Sequence, residues 1–113
     1  MKSYNIKDMF KGWFIGNFDP SIIKTEEFEV AHHFHKAGYI DKEGSHYHKV
    51  ATEINYVIKG DVVVDGVKLT SGDLFVYEPY DNSDVQFISD TDLIVVKTPS
   101  CINDKYFVKA CCK

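Results

Sequence analysis

The sequence predicts an all-β fold, a small antiparallel barrel or sandwich preceded by a short N-terminal helical or irregular segment. Three observations carry this prediction. Apolar and polar residues alternate in many short runs, turn residues separate these runs at regular intervals, and only residues 6–11 show a weak helical pattern. The pair Asp65-Gly66 is the strongest hairpin signal, because both central residues of such a two-residue turn need a positive φ.

The predicted elements follow one another with short connections. Residues 13–18 form an aromatic run that ends in a turn, and Trp13-Phe14-Ile15 suits an edge strand that is exchanged or packed across a dimer. Residues 28–36 alternate with the period of a half-buried strand, and a polar loop follows. Further strands are predicted at residues 52–59, 62–64, 67–69, 74–78, 85–88 and 93–97, with an edge strand at 106–108.

Length and composition indicate one globular domain over residues 1–113. Hydrophobic residues make up 44% of the chain and aromatic residues 14%, which excludes a disordered protein. The net charge of −4 comes without a basic patch, so nucleic acid is not expected as a partner. No apolar run reaches the length of a membrane span, and the N-terminus lacks a signal-peptide pattern. We therefore expect a soluble, cytoplasmic protein.

Three cysteines lie towards the C-terminus, at positions 101, 111 and 112. Their odd number and the lack of a secretion signal favour free thiols over a disulfide framework. The adjacent pair Cys111-Cys112 fits either a frayed tail or a redox or metal site, and the sequence favours the tail.

The richest chemical signal is the spacing of His46, His48 and Glu53. Side chains at positions i and i+2 of a strand point to the same face, so the two histidines can converge on one point. A neighbouring strand can bring the carboxylate of Glu53 to that point. Two imidazoles and one carboxylate suit a divalent Zn, Fe, Mn, Ni or Co ion and leave coordination positions open.

The same residues carry a resemblance to a known family. His46-x-His48, followed by Glu53 and Gly60, resembles the first motif of the cupin superfamily, and residues 72–79 are similar to the opening of the second motif. The resemblance covers residues 28–97. It implies an antiparallel jelly-roll barrel of the cupin type, with one divalent metal ion inside it and a homodimer as the assembly.

The chain departs from the cupin pattern at three positions. Ile40 and Asp81 stand where the motifs have glycine, and Asp84 stands where the second motif places its last histidine ligand. An aspartate can bind a hard divalent metal through oxygen. Asp84 therefore either completes a set with two histidines and two carboxylates, or points away and leaves three protein ligands. Gln86, which shares its strand face, is a weaker candidate.

Five side chains are candidates for the cavity wall: His33, His35, Tyr56, Tyr77 and Gln86. The first two share one face of the strand at 28–36. They enter the cavity if that polar face points inward, and they are exposed if the opposite face, with Phe34, points inward. The sequence leaves both arrangements open. For either tyrosine the sequence favours core packing with a hydrogen-bonded hydroxyl.

We therefore expect a metal-binding single-domain cupin that acts on a small polar molecule. The resemblance implies a sugar or sugar-phosphate isomerase or epimerase, or a dioxygenase. An alternative is a cupin without catalytic activity that binds a small molecule or serves a structural role, which the missing second-motif histidine favours. The identity of the metal and of the substrate is not encoded in a recognisable pattern.

Overall fold

Almost every regular element of the chain is a strand. The computed structural model describes residues 1–40, 44–82 and 84–108. A single 3-10 turn, Ile6–Asp8, replaces the weak helix expected near the N-terminus. The strands are β1 (Trp13–Ile15), β2 (Glu29–His35), β3 (His46–Tyr47), β4 (Thr52–Lys59), β5 (Asp61–Val64), β6 (Val67–Thr70), β7 (Leu74–Tyr77), β8 (Val85–Phe87), β9 (Thr91–Thr98) and β10 (Tyr106–Phe107). This confirms the all-β prediction.

A five-stranded antiparallel sheet forms one wall of the barrel, in the order β1-β2-β9-β4-β7. Its central strand, β9, pairs along its length with both β2 and β4. The aromatic strand β1 pairs with β2 of the same chain, with Trp13 opposite Ala31. The edge strand predicted at 106–108 is found as β10, which pairs with β3.

The facing wall consists of a three-stranded sheet, β6-β5-β8, and the two-stranded sheet β10-β3. Val62 and Val64 of β5 join one buried cluster with residues of the five-stranded sheet, such as Val57 and Leu93. The walls are therefore held together by apolar side chains that pack between them, as the alternation of each strand predicts.

Two predicted turns are present, and the first of them closes the predicted hairpin. Asp65 and Gly66 have φ angles of 50° and 78° between β5 and β6, as a type I′ turn requires. Gly60, with φ 112°, joins β4 to β5 against the buried Thr91. A Cβ atom at position 60 would lie 2.4 Å from the Oγ1 atom of Thr91, so glycine is needed there for space as well as for conformation.

The inner face of the five-stranded sheet is arranged in cross-strand rows. Glu29, Lys97, Glu53 and Tyr77 are register partners across β2, β9, β4 and β7, and they form a polar row. The next row along these strands is Ala31, Val95, Asn55 and Phe75. Seven of these eight side chains belong to buried residues, and Lys97 is nearly buried. Inside the barrel, a row of polar side chains therefore lies next to the largely apolar core.

The outer face of the same sheet is apolar and open. Leu74 and Val76 of β7 are 59% and 50% exposed, and their register partners on β4 are Tyr56 and Ile54. No helix within residues 1–40, 44–82 and 84–108 is long and apolar enough to cross a membrane.

Candidate metal centre

Three predicted ligands come together inside the barrel. One ligand atom from each of His46, His48 and Glu53 lies within 4.8 Å of the other two. His48 is 4% exposed and Glu53 is 8% exposed, while His46 is half-buried at the open side. His46 belongs to β3, His48 lies just beyond it, and Glu53 stands near the start of β4. The short loop between β3 and β4 thus brings Glu53 back towards the two histidines.

His48 has a defined tautomer. Its Nδ1 atom contacts the backbone carbonyl oxygen of Asp104, and a carbonyl can only accept, so Nδ1 must carry the hydrogen. The Nε2 atom lies 3.2 Å from the Oε1 atom of Glu53. In the neutral imidazole this Nε2 atom presents a lone pair to a carboxylate. A proton or a metal cation between the two atoms is therefore required to make the contact favourable.

The carboxylate of Asp104 holds the loop that follows His48. It accepts hydrogen bonds of 2.9 to 3.3 Å from the backbone N–H groups of Lys49, Val50 and Ala51. Burial alone would raise the pKa of this carboxyl, but the three backbone hydrogen bonds outweigh it and lower the pKa. Asp104 therefore fixes the loop with its side chain and the imidazole of His48 with its carbonyl.

Glu53 is held in its ionised form. Its Oε2 atom accepts a hydrogen bond of 3.0 Å from the side-chain amide of the buried Asn55. Burial works to raise the pKa of Glu53, yet hydrogen bonds from His48 and Asn55 and the nearby imidazole of His46 lower it overall. A carboxylate kept ionised in this way is ready to bind a cation.

The donor set fits a divalent metal. Bonds of about 2.0–2.2 Å from a zinc-like ion to nitrogen and oxygen separate neighbouring ligand atoms by about 3 Å, close to the distance between His48 and Glu53. Two imidazoles and a carboxylate suit Zn, Fe, Mn, Ni or Co alike. Second contacts to Asp104 and Asn55 orient two of the ligands, as metal sites usually require.

The predicted fourth ligand is placed elsewhere. Asp84 is exposed, and it is not one of the three clustered ligands among the described residues. It precedes β8, in which Val85 and Phe87 pack against the core and Gln86 is exposed between them. Asp84 and Gln86 are both exposed, and both line the cavity. Among the described residues the clustered set has three members, and a ligand role for Asp84 stays a prediction.

Tyr56 corrects a further expectation. It alternates with Asn55 and Val57, which are buried on the inner face of β4, so its own side chain points outward and is 42% exposed. It does not line the cavity. Tyr77, by contrast, is buried on the inner face of β7 and does line it.

His33 and His35 point into the barrel, since Glu29 and Ala31 on the same face of β2 are buried and Phe34 is exposed. The polar face is thus the inner one. Their rings belong to a wall of ring-to-ring contacts between 4.4 and 6.0 Å, formed by Trp13, His33, His35, Tyr39 and Phe87. Burial and the neighbouring His35 lower the pKa of His33 to about 4, although Glu53 opposes the change, so this imidazole is neutral at physiological pH.

The metal ligands and the aromatic wall face one cavity of about 1410 Å³. This space is larger than the roughly 300–1,000 Å³ that is usual for small-molecule sites, and it combines a few polar groups with a largely apolar lining. The polar row also reaches it through Glu29 and Lys97, which form an ion pair of 2.8 Å.

Sequence reasoning missed four residues of this site. Asn55 and Glu29 share strand faces with Glu53 and with His33 and His35, so alternation could have placed them there. Lys97 and Asp104 reach the site only through pairing of distant segments. No local pattern around either residue marks that role.

No family model and no curated protein matches the sequence. Solved structures match it in fold. An uncharacterised conserved protein with a double-stranded β-helix domain from Klebsiella pneumoniae is similar over 97% of this chain and 99% of its own, with a TM-score of 0.65 and 14% identity. A cupin protein from Bacteroides fragilis is similar over 66% of this chain and 67% of its own, with a TM-score of 0.53 and 21% identity.

A third structure contains a ligand. It is a mutant of salicylate 1,2-dioxygenase from Pseudoaminobacter salicylatoxidans in complex with gentisate, with a TM-score of 0.58 and 22% identity over 72% of this chain. The present chain spans 23% of that protein. With these similarities, the all-β barrel and its inward metal-ligand motif define a protein with the cupin fold. The resemblance found in the sequence is thereby confirmed for the fold.

Proposed function

We propose that the protein is a metal-dependent cupin that acts on a small polar molecule in its cavity. The observation that carries this proposal is the meeting of His46, His48 and Glu53 within 4.8 Å, inside a barrel whose cavity is open to them. A bound divalent ion would polarise a hydroxyl or carbonyl of the substrate, and as iron it would also support oxygen chemistry. Sugar or sugar-phosphate isomerisation or epimerisation and dioxygenation are the candidate reactions.

The protein's own residues have separable roles in this proposal. His46, His48 and Glu53 would hold the ion, and Asp104 and Asn55 would keep two of these ligands in place. The aromatic wall around His33 and His35 would shield one side of the substrate from water. Because burial keeps His33 neutral at physiological pH, its imidazole would contribute hydrogen-bonding capacity to the cavity wall rather than a charge.

A second candidate function is a binding cupin without turnover. The exposed position of Asp84 favours it, since a three-ligand site lacks the fourth ligand that the cupin pattern supplies. In that case the cavity would bind the same kind of small polar molecule and release it unchanged.

We also propose that the chain is a single-domain, cytoplasmic protein that forms a homodimer. The exposed apolar face of β4 and β7 supports the dimer, because monomers rarely leave a contiguous apolar sheet face open to water.

Metal analysis of untagged protein tests the proposed function. Wild-type protein should retain about one equivalent of a divalent metal, and His46→Ala, His48→Ala and Glu53→Ala should lose it. His32→Ala is the matched control, because His32 pairs with Asp92 through a contact of 2.9 Å away from the cluster. Equal, negligible metal in wild type and in His46→Ala would refute the metal site.

Turnover separates the two candidate functions. Loaded protein should be incubated with sugars and sugar phosphates, and oxygen uptake should be followed with small diols and phenolic acids. Conversion that depends on His46 supports the enzyme. Full metal content, measurable ligand binding and no conversion across these substrates would favour the binding protein.

A further inference from the structure

Lys97 is a nearly buried ammonium group in the same cavity as the candidate metal ligands. It lies on the inner face of β9, after Leu93 and Val95, and its side chain is 12% exposed. Its Nζ atom is 2.8 Å from the Oε1 atom of Glu29 and 5.3 Å from the centre of the Trp13 ring. A lysine in such a place must have its charge compensated and its hydrogen bonds satisfied.

The hydrogen bonds of Lys97 are incomplete within the protein. An ammonium group has three N–H donors, and Glu29 accepts from one of them. The other oxygen of Glu29 accepts from the hydroxyl of Ser100 at 2.7 Å, so this carboxylate is already shared. The ring face of Trp13 attracts the charge without accepting a conventional hydrogen bond. Among the described residues, Lys97 therefore has donor capacity left for oxygen atoms in the cavity.

Lys97 is also placed beside the metal centre. It is the direct register partner of Glu53 across β9 and β4, so the two residues belong to one row of the inner face. Directly opposed residues in an antiparallel pair have Cβ atoms about 4.5–5.5 Å apart. A molecule that is bound at His46, His48 and Glu53 is consequently within reach of the lysine side chain.

The charge balance of the cavity predicts the sign of the ligand's charge. Glu29, Glu53 and Lys97 together carry one net negative charge. A bound dication changes this to one net positive charge in a partly desolvated space, where charges interact more strongly than in water. A single negative charge on the ligand would restore neutrality.

We propose that Lys97 binds an anionic oxygen of the substrate, and that the substrate class is a small polar molecule with a singly charged carboxylate or similar group. This inference rests on the proposed metal site and adds to it the charge of the ligand. The ammonium group of Lys97 contacts the anion, and Glu29 weakens this contact because it competes for the same ammonium group. The metal supplies the positive charge that makes the cavity favourable for an anion.

Glycolate and ethylene glycol form a suitable pair of probes, because they have similar size and differ in charge. Calorimetric titration of protein loaded with Zn²⁺ or Co²⁺ should show glycolate binding at least about tenfold tighter than ethylene glycol. Apoprotein should bind neither probe. Lys97→Met should lower glycolate affinity about tenfold or more and leave ethylene glycol unchanged.

Two further variants keep the test valid if Lys97→Met folds poorly. The double variant Glu29→Gln with Lys97→Met removes both buried charges and should show the same loss of glycolate binding. Glu29→Gln alone should raise glycolate affinity several-fold, because the lysine loses its competing carboxylate. Lys68→Met is the control for a lysine on the exposed face of β6 and should behave like wild type.

The metal content of every variant is measured first, so that the two proposals can fail separately. If loaded Lys97→Met or the double variant binds glycolate as tightly as wild type, the anion contact is refuted and the metal site stands. If wild-type protein takes up no metal, the proposed function fails and this inference fails with it.

Discussion

The Nδ1–H group of His48 donates to the backbone carbonyl of Asp104, a residue 56 positions further along the chain. The contact leaves Nε2 of the imidazole towards Glu53 and thereby selects the ring nitrogen that can bind a metal. The carboxylate of the same aspartate accepts hydrogen bonds from three backbone N–H groups of the loop after His48. One residue from a distant segment thus orients both the ligand and its loop.

Asp104→Ala is therefore expected to weaken metal binding without removing a ligand. Loss of the carboxylate frees the backbone at Lys49, Val50 and Ala51, so affinity should fall about 10–100-fold and stability by about 1–3 kcal/mol. Asp104→Asn retains an oxygen acceptor and should recover part of both losses. Competition with a chelator gives the affinity, and ¹⁵N chemical shifts of His48 give its tautomer.

Asn103→Gly serves as the control for the same segment, since it keeps the positive φ at that position and leaves Asp104 intact. Unchanged affinity and an unchanged His48 tautomer in Asp104→Ala would contradict the positioning role.

The neutral His33 predicts a dependence of stability on pH. In the unfolded chain this imidazole takes up a proton near pH 6.5, and in the folded protein it does so only near pH 4. Between these values the unfolded state binds more protons, so stability is full above pH 6.5 and declines as pH falls towards 4. The share of His33 in this decline is about 3 kcal/mol at most, and His33→Gln should reduce it accordingly.

Urea unfolding across this pH range, with chelator present, measures the effect. Glu53 and Asp104 add a loss at lower pH as their carboxylates are protonated. Equal pH slopes for wild type and His33→Gln would show that His33 is not held neutral.

Gly60 is expected to tolerate substitution less than Gly72. Gly60→Ala places a Cβ atom 2.4 Å from Thr91 Oγ1 and 2.6 Å from the backbone oxygen of Asp90, and it retains a strained φ of 112°. The loss of unfolding free energy should exceed about 2 kcal/mol. Gly72→Ala has a positive φ but open space around the new atom, so it should cost about 1–2 kcal/mol. Equal losses by chemical denaturation would count against the close contact at Thr91.

The proposed homodimer predicts sensitivity on the outer face of the five-stranded sheet. Leu74→Lys places a charge among Tyr56, Val76 and their apolar neighbours, so the dimer dissociation constant should rise about tenfold or more. Val67→Lys is the matched control, because Val67 is equally exposed but lies on β6 of the other sheet. Light scattering that finds wild-type protein monomeric at all concentrations would remove the dimer.

The sequence predicted the fold well because each strand carries its own alternation and its own turns. The strands at 52–59 and 28–36 agree closely with β4 and β2, and the Asp65-Gly66 turn has the conformation that its composition requires. These signals are local. Register pairing then follows from burying one face of each strand.

The candidate site was predictable only in its local part. His46, His48 and Glu53 lie within eight consecutive residues, so spacing sufficed to bring them together. Asp84 was carried over from a motif position, and its side chain is exposed and lies outside the cluster of His46, His48 and Glu53. Lys97 and Asp104 depend on strand pairings and loop contacts that join segments more than forty residues apart, which single-sequence patterns do not encode.

The central position of β9 also sets the order in which the strands can pair while the chain is synthesised. Both β2 and β4 need β9 as their neighbour, yet β9 is synthesised long after them. During translation β2 and β4 therefore each keep an unpaired edge until residues 91–98 leave the ribosome. Such delayed pairing is typical of slow folding through non-local β contacts. Asp104, which orients His48, follows β9 in the chain, so the candidate metal ligands reach their final arrangement only after the last long strand has been made.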